Sequence, residues 1–269
     1  MIYNFVKKNI LKLKKIIDTI EKWAPLSSAE DFDNVGLILG NESSIVSKAL
    51  ITLDTLENVV DEAVEKNCDL IISFHPIIFN GLKKLTNNTY VERVISKCIL
   101  NNINIYTIHT NLDNHPRGVN YQIAKHLDLH NTKILIPKPN LNRGMGMMGE
   151  LTGELSEKDL LSHVKDKMNT NTIKHSPLLG KKIKTVAVLG GSGSFAIEKA
   201  IEVGVDCFIT SDLKYHDYFK AENKILLMDI GHFESEQYTK ELILNFLTKK
   251  IPKFACIISK SNTNPVNYF

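Results

Sequence analysis

Five side chains in this sequence stand where they could hold a metal ion or pass a proton: His75, His109, Asp113, His232 and Glu236. Three apolar, strand-like runs each end directly in polar residues. LIISF leads into His75-Pro76, NIYTI into His109 with Asp113 four residues on, and ILLMDIG into His232 with Glu236 four residues on. Ligands of open α/β sheets bind beyond the carboxyl ends of the strands, so all five donors emerge at the same kind of place. Residues four apart on a helix share a face, with Cβ atoms roughly 5–6 Å apart. His232 and Glu236 then point at one ion if a helix begins there, and His109 with Asp113 does the same if that segment turns helically. Imidazole with carboxylate suits zinc, iron, manganese and similar divalent ions, and a bridging carboxylate can hold two of them. Each piece alone has a plainer reading, a structural hydrogen bond or a surface pair. The repeated position after a strand is what argues for metal.

Two further stretches compete for a role. Gly190–Ser194 follows the run KTVAVL and precedes a helical pattern, the layout of a phosphate-cradling turn, but it lacks a full G-x-G-x-x-G and a Walker lysine. It is either a plain tight connection or a nucleotide site through Gly191 and Ser192. Asp212–Asp217, with Lys214 and His216, follows the run DCFIT and either lines the same crevice or caps a helix start. His115, His126, His130, His163 and His175 show no pairing and read as surface or structural residues.

Positioning such donors takes strands alternating with helices. Apolar runs predict strands at Ala49–Leu53, Asp69–Ser73, Ile103–Ile108, Thr185–Leu189, Asp206–Thr210, Ile225–Asp229 and Phe254–Ile258. Helical patterns lie between them at Leu56–Lys66, Tyr90–Leu100, Val119–His126, Phe195–Val203 and Ser235–Leu247. The alternation argues for an α/β fold with mainly parallel sheets covered by helices. The reading gives a first α/β half at 1–130, a connecting seam at 131–184 and a second half at 185–269, whose last helix can pack back on the first. The seam is rich in proline and glycine, with one helical stretch at Glu157–Met168.

The chain has 269 residues, 43% hydrophobic and 23% charged, with a net charge of +3. That is ordinary globular composition, enough for a sizeable core. No basic stripe with interleaved aromatics appears, so nucleic acid is not an expected partner. Four scattered cysteines without a C-x-x-C pair suggest reduced thiols and a cytoplasmic setting. No apolar stretch approaches the ~18 residues of a membrane helix. The start, MIYNFVKKNILKLKKII, reads as an amphipathic first helix with a short extension in front, not as a signal peptide.

Six segments together resemble the GTP cyclohydrolase 1 type 2 homologue family, also called the Nif-three-like family. They are DNVGL at Asp33–Leu37, ISFHPIIFNGLKKL at Ile72–Leu85, HTNLDNHPRGVN at His109–Asn120, VAVLGGSGS at Val186–Ser194, TSDLKYHD at Thr210–Asp217 and DIGHFESE at Asp229–Glu236. The resemblance implies two intertwined three-layer α/β/α halves, a dinuclear metal site between them, a homohexameric ring, and the compact form without an inserted middle domain. It puts the metal ligands on His75, Asp113, His232 and Glu236, with His109 adjoining. Two positions depart from the family pattern. Phe74 stands where many members have a second histidine, and Met147 stands where an arginine is common. Phenylalanine cannot coordinate, so one of two ions would lose a ligand.

The activity implied by the resemblance is metal-dependent hydrolysis of a nucleotide, with water activated by metal opening the five-membered ring of GTP. His109 or His216 would move protons, and Gly191, Ser192 or Lys214 would meet phosphates. The alternative is a non-catalytic metal-binding scaffold or regulatory partner in the form of a ring.

Overall fold

A computed structural model describes residues 10–269; the part of the predicted first helix that precedes residue 10 lies outside them. In chain order the elements begin β1 (Leu11–Lys12), α1 (Leu13–Trp23), β2 (Gly36–Leu39), β3 (Ile45–Val46), β4 (Lys48–Thr52), α2 (Glu57–Glu65), β5 (Leu70–Ser73), α3 (Tyr90–Leu100), β6 (Asn104–Thr107) and α4 (Thr110–Asp113). They continue with α5 (Val119–His126), β7 (His130–Pro137), β8 (Gly144–Ser156), α6 (Glu157–Lys167), β9 (Lys174–His175), β10 (Lys182–Ser192), α7 (Ile197–Glu202), β11 (Cys207–Ser211), β12 (Leu226–Asp229), α8 (His232–Glu236), α9 (Thr239–Lys250) and β13 (Ala255–Ile258). The chain forms two compact units. Among the described residues, one comprises those up to Leu112 together with Lys240–Thr263, the other Asp113–Thr239 and Asn264–Phe269.

The first unit is built on a five-stranded sheet in the order β13-β4-β5-β6-β2, parallel except for β2. Its central strands are apolar on both sides, as parallel strands covered by helices must be. Leu50, Ile71 and Ile105 pack against α2 and α3 through Val59, Val60, Val94 and Ile95. The opposite face carries Ile51, Ile72 and Tyr106, all buried, and the Tyr106 hydroxyl donates to Glu21 on α1. Helix α1 is amphipathic, burying Leu13, Ile16, Ile17 and Ile20, and stops before Pro25. Asp69 staples the entry to this sheet, accepting from the Ser47 and Lys48 amides (2.8–3.1 Å) and the Ser47 hydroxyl (2.7 Å).

The second unit has a six-stranded mixed sheet in the order β7-β8-β10-β11-β12-β9, with β10, β11 and β12 parallel. One face of β10, Ala187 and Leu189, packs with Ile197 and Ala200 of α7. On the other face, a Cβ at Gly190 would meet Val119 and Ile123 of α5. Asp206 staples this sheet as Asp69 does the first, accepting from the Lys184 and Thr185 amides (2.9 and 2.8 Å) and the Thr185 hydroxyl (2.8 Å).

The strands and helices expected from the apolar pattern are present with two differences: the helix expected at Ser235–Leu247 is divided between α8 and α9, and the first helix begins at Leu13, after β1. The glycine- and proline-rich middle differs: it holds two long antiparallel strands, β7 and β8, that widen the second sheet. Gly144 and Gly146 there adopt positive φ (156° and 70°), backbone that no strand propensity anticipates. All four cysteines are free, and Cys68, Cys98 and Cys207 are buried. No helix among the described residues is long and apolar enough to cross a membrane.

Candidate functional site

In the first unit, strand pairing continues just past β5. The Phe74 and His75 amides both donate to the Leu53 carbonyl, at 3.1 and 2.9 Å, which fixes His75 at the carboxyl end of the sheet. Its Nδ1 faces Asp54 Oδ1 at 2.8 Å, and Asp54 sits at the same end of the neighbouring strand β4. The other Asp54 oxygen accepts from the Thr263 hydroxyl at 2.7 Å, which holds the carboxylate in place.

His109 follows β6 and is held the same way. Its Nδ1 lies 2.9 Å from Asp33 Oδ1, and Asp33 Oδ2 accepts from the Thr110 amide (3.0 Å) and hydroxyl (2.5 Å). Asp33 precedes β2, which runs antiparallel beside β6. The Asp33 side chain is fully enclosed. Burial alone would raise its pKa, but the hydrogen bond and charge of His109 and the two Thr110 donors outweigh that, and hold it at about 2. The rings of His75 and His109 meet edge-on with centroids 5.3 Å apart. Phe74 is completely buried and touches both, 5.0 Å from His75 and 5.2 Å from His109. Phe74 is thus packing for the two imidazoles.

In the second unit, His232 and Glu236 occupy the first and last positions of the single-turn helix α8. His232 Nδ1 lies 2.7 Å from Asp212 Oδ2, and Nε2 lies 3.2 Å from Glu236 Oε2. Asp212 follows β11, the strand beside β12. The Ser192 hydroxyl donates to the same Asp212 oxygen. Burial opposes charge on His232, but Glu236 and Asp212 prevail and push its pKa up to about 11. The hydrogen bond from His232 holds the Asp212 carboxyl below its ordinary value, with Ser192 assisting against burial.

Asp113 is buried, and its segment is tied to the glycine turn through Asn120. The Asn120 amide donates to the Asp113 carbonyl (3.2 Å), and its Oδ1 accepts from the Gly190 amide (3.0 Å). The Gly191 amide donates to Ser235 Oγ at 2.9 Å, and its carbonyl accepts from Thr210 and Ser211 hydroxyls at 3.1 and 2.6 Å. Both glycine amides are therefore engaged inside the protein. Gly191 stands directly over the donors at φ +69°, where a Cβ would meet Glu236 and His232. Lys214 and His216 are exposed, and their contacts run to Asp217 and Tyr215: the Lys214 amide donates to Asp217 at 2.9 Å, and the His216 ring meets Tyr215 edge-on.

All three histidines share one arrangement, with Nδ1 on a carboxylate. A carboxylate on Nδ1 fixes the tautomer and leaves Nε2 as the donor, and it raises the basicity of the ring toward a cation. In the second unit a buried carboxylate stands beside that Nε2, over backbone that has no side chain. Imidazole and carboxylate together fit a borderline divalent ion. The residues missed as clamps from sequence are Asp54, Asp33 and Asp212, each supplied by the strand next to the one that delivers its histidine.

A protein of Clostridium acetobutylicum named GTP cyclohydrolase 1 type 2 homolog is 36% identical over 267 residues, covering 96% of this chain and 99% of that one. One of the same name from Campylobacter jejuni is 34% identical and covers 96% and 100%. A crystal structure of a Staphylococcus aureus protein superposes with a TM-score of 0.89 at 30% identity, over 96% of this chain and 99% of the other. A Bacillus cereus protein described as related to NIF3 gives the same TM-score at 24% identity, which speaks for the fold. The family model for Duf34/NIF3 (NGG1p interacting factor 3) matches residues 11–265, nearly the whole length, and the chain belongs to that family.

Proposed function

We propose that this chain is a divalent-metal-dependent hydrolase acting on a nucleotide, with His75, Asp113, His232 and Glu236 as metal ligands and one or two ions of the zinc, iron or manganese type per chain. The observation that carries the proposal is the repeated clamp: each of three histidines has Nδ1 on a carboxylate, and His232 has Glu236 beside its Nε2. A bound divalent ion would supply polarisation of water and of the bond to be broken. His109, held by Asp33, is oriented to move a proton through Nε2. Ser192 and Lys214 remain candidates to meet phosphate, together with Gly191 as the spacer that leaves room beside Glu236. His216 is the second candidate for proton transfer. The name of the relatives points to a guanine nucleotide as substrate. We further propose a homohexamer and a cytoplasmic setting, the latter because the buried cysteines are all free thiols.

Elemental analysis of protein purified without added metal or affinity tag is the test. The expected result is one to two divalent ions per chain, with a fall in metal content and loss of nucleotide turnover in His232→Ala. Unchanged metal content in that variant would refute the ligand assignment. Metal without turnover of any nucleotide would refute the hydrolase and leave a metal-binding scaffold.

A further inference from the structure

At the open edge of the second sheet lies a cavity of about 680 Å³ with no part in the clamps described above. Its walls are the His115–Arg117 loop, Tyr121 on α5, the edge strand β7 and the connection to β8. The volume falls in the range of small-molecule sites, roughly 300–1,000 Å³. Its lining has two characters. Ile134, Leu141 and Met147 give an apolar floor with the ring of Tyr121, while Arg117 and Lys133 bring positive charge. No acidic residue lines it. Among the described residues, neither the Arg117 nor the Lys133 side chain has a carboxylate partner, although ion pairs are frequent elsewhere on the surface. Two unpaired cations facing one concave, partly apolar space raise the local potential and favour an anion with an apolar body. A guanidinium matches phosphate oxygens in a fork, and an ammonium adds a point charge beside it.

We infer that this cavity binds a phosphorylated small molecule, its phosphates on Arg117 and Lys133 and its planar or apolar part against Tyr121 and Met147. The site stands on residues of the second unit alone and does not depend on the metal reading.

The test is calorimetric titration of the full-length protein at low salt with three probes: GTP, inorganic pyrophosphate and guanosine. GTP and pyrophosphate should bind with an affinity that weakens as salt is raised, and GTP should bind more tightly than pyrophosphate if the apolar floor takes part. Guanosine, without phosphate, should bind at least tenfold more weakly than GTP. The double variant Arg117→Ala/Lys133→Ala should lose roughly tenfold or more in affinity for both anions while keeping the wild-type metal content. The part of the anion affinity that persists after chelator treatment, and that the double variant removes, separates this pocket from the metal ligands. Failure of both anions to bind, or binding that the double variant leaves unchanged, would overturn the inference.

Discussion

A Cβ on Gly191 would stand 2.5 Å from Oε1 of Glu236 and 3.4 Å from the Nε2 of His232. The bare backbone at residue 191 is what gives both donors their room. Gly191→Ala also places a side chain at φ +69°, which costs roughly 1–2 kcal/mol in the left-handed region. The expected outcome is a fold weakened by about that amount and metal loading reduced well beyond it. Thermal unfolding and metal titration on one preparation read both, and full loading would show that Glu236 is not a ligand.

Asp212 accepts from both His232 and Ser192 through one oxygen, and so orients the imidazole. Asp212→Asn keeps the shape but removes the charge that supports His232. Clamp residues of this kind are typically worth tenfold to a hundredfold in metal affinity. Competition with a chelator should show a loss of that order, and affinity equal to the wild type would mean that the clamp is only structural.

Asp33 gives the chain an acid-sensitive element. Its pKa of about 2 in the fold lies below the ordinary 3.8, so the unfolded chain takes up the proton first as pH falls. The stabilisation, about 2 kcal/mol by that difference, is fully present above pH ~5 and is lost progressively as pH falls toward 2. Asp33→Asn should remove this part of the slope. Urea unfolding midpoints between pH 3 and pH 7 measure it, and parallel curves for the two proteins would refute the assignment.

Glu92, in the first turn of α3, holds the loop that follows His75. It accepts from the Thr86 amide (2.6 Å) and hydroxyl (2.8 Å), the Asn88 amide (3.3 Å) and the Thr89 hydroxyl (3.2 Å). The Thr86 amide and hydroxyl, followed by the Asn88 and Thr89 donors, outweigh burial and hold its carboxyl at about 2. In Glu92→Ala, limited proteolysis should cut between residues 79 and 89 faster than in the wild type, with cleavage elsewhere unchanged. Equal cutting would mean that the loop is anchored by other contacts.

The parallel strands were legible because burial on both faces makes them continuous apolar runs, as in Ala49–Leu53 and Asp206–Thr210. Strands β7 and β8 were not, since Pro137 and the glycines between 144 and 153 suppress the apolar signal while edge position and positive φ accommodate them. The histidines were legible because each directly follows its strand. Their clamps were not recognisable as such, lying 21, 76 and 20 residues away, for His75, His109 and His232. What brings each pair together is strand adjacency, which local spacing does not encode. A carboxylate just beyond the end of a neighbouring strand is the signal to look for: Asp54 and Asp212 satisfy it directly, and Asp33 through the antiparallel β2.

The two staples carry a historical consequence. Asp69 reaches back 22 and 21 residues to the Ser47 and Lys48 amides, and Asp206 reaches back 22 and 21 residues to those of Lys184 and Thr185. Aligned on that contact, β4, β5 and β6 correspond to β10, β11 and β12, and the next strand end delivers His109-x-x-x-Asp113 in one series and His232-x-x-x-Glu236 in the other. Tandem duplication of one ancestral half leaves this pattern. The staple and the histidine–carboxylate step recur in both series, whereas the clamps differ in place: Asp33 precedes β2 and Asp212 follows β11.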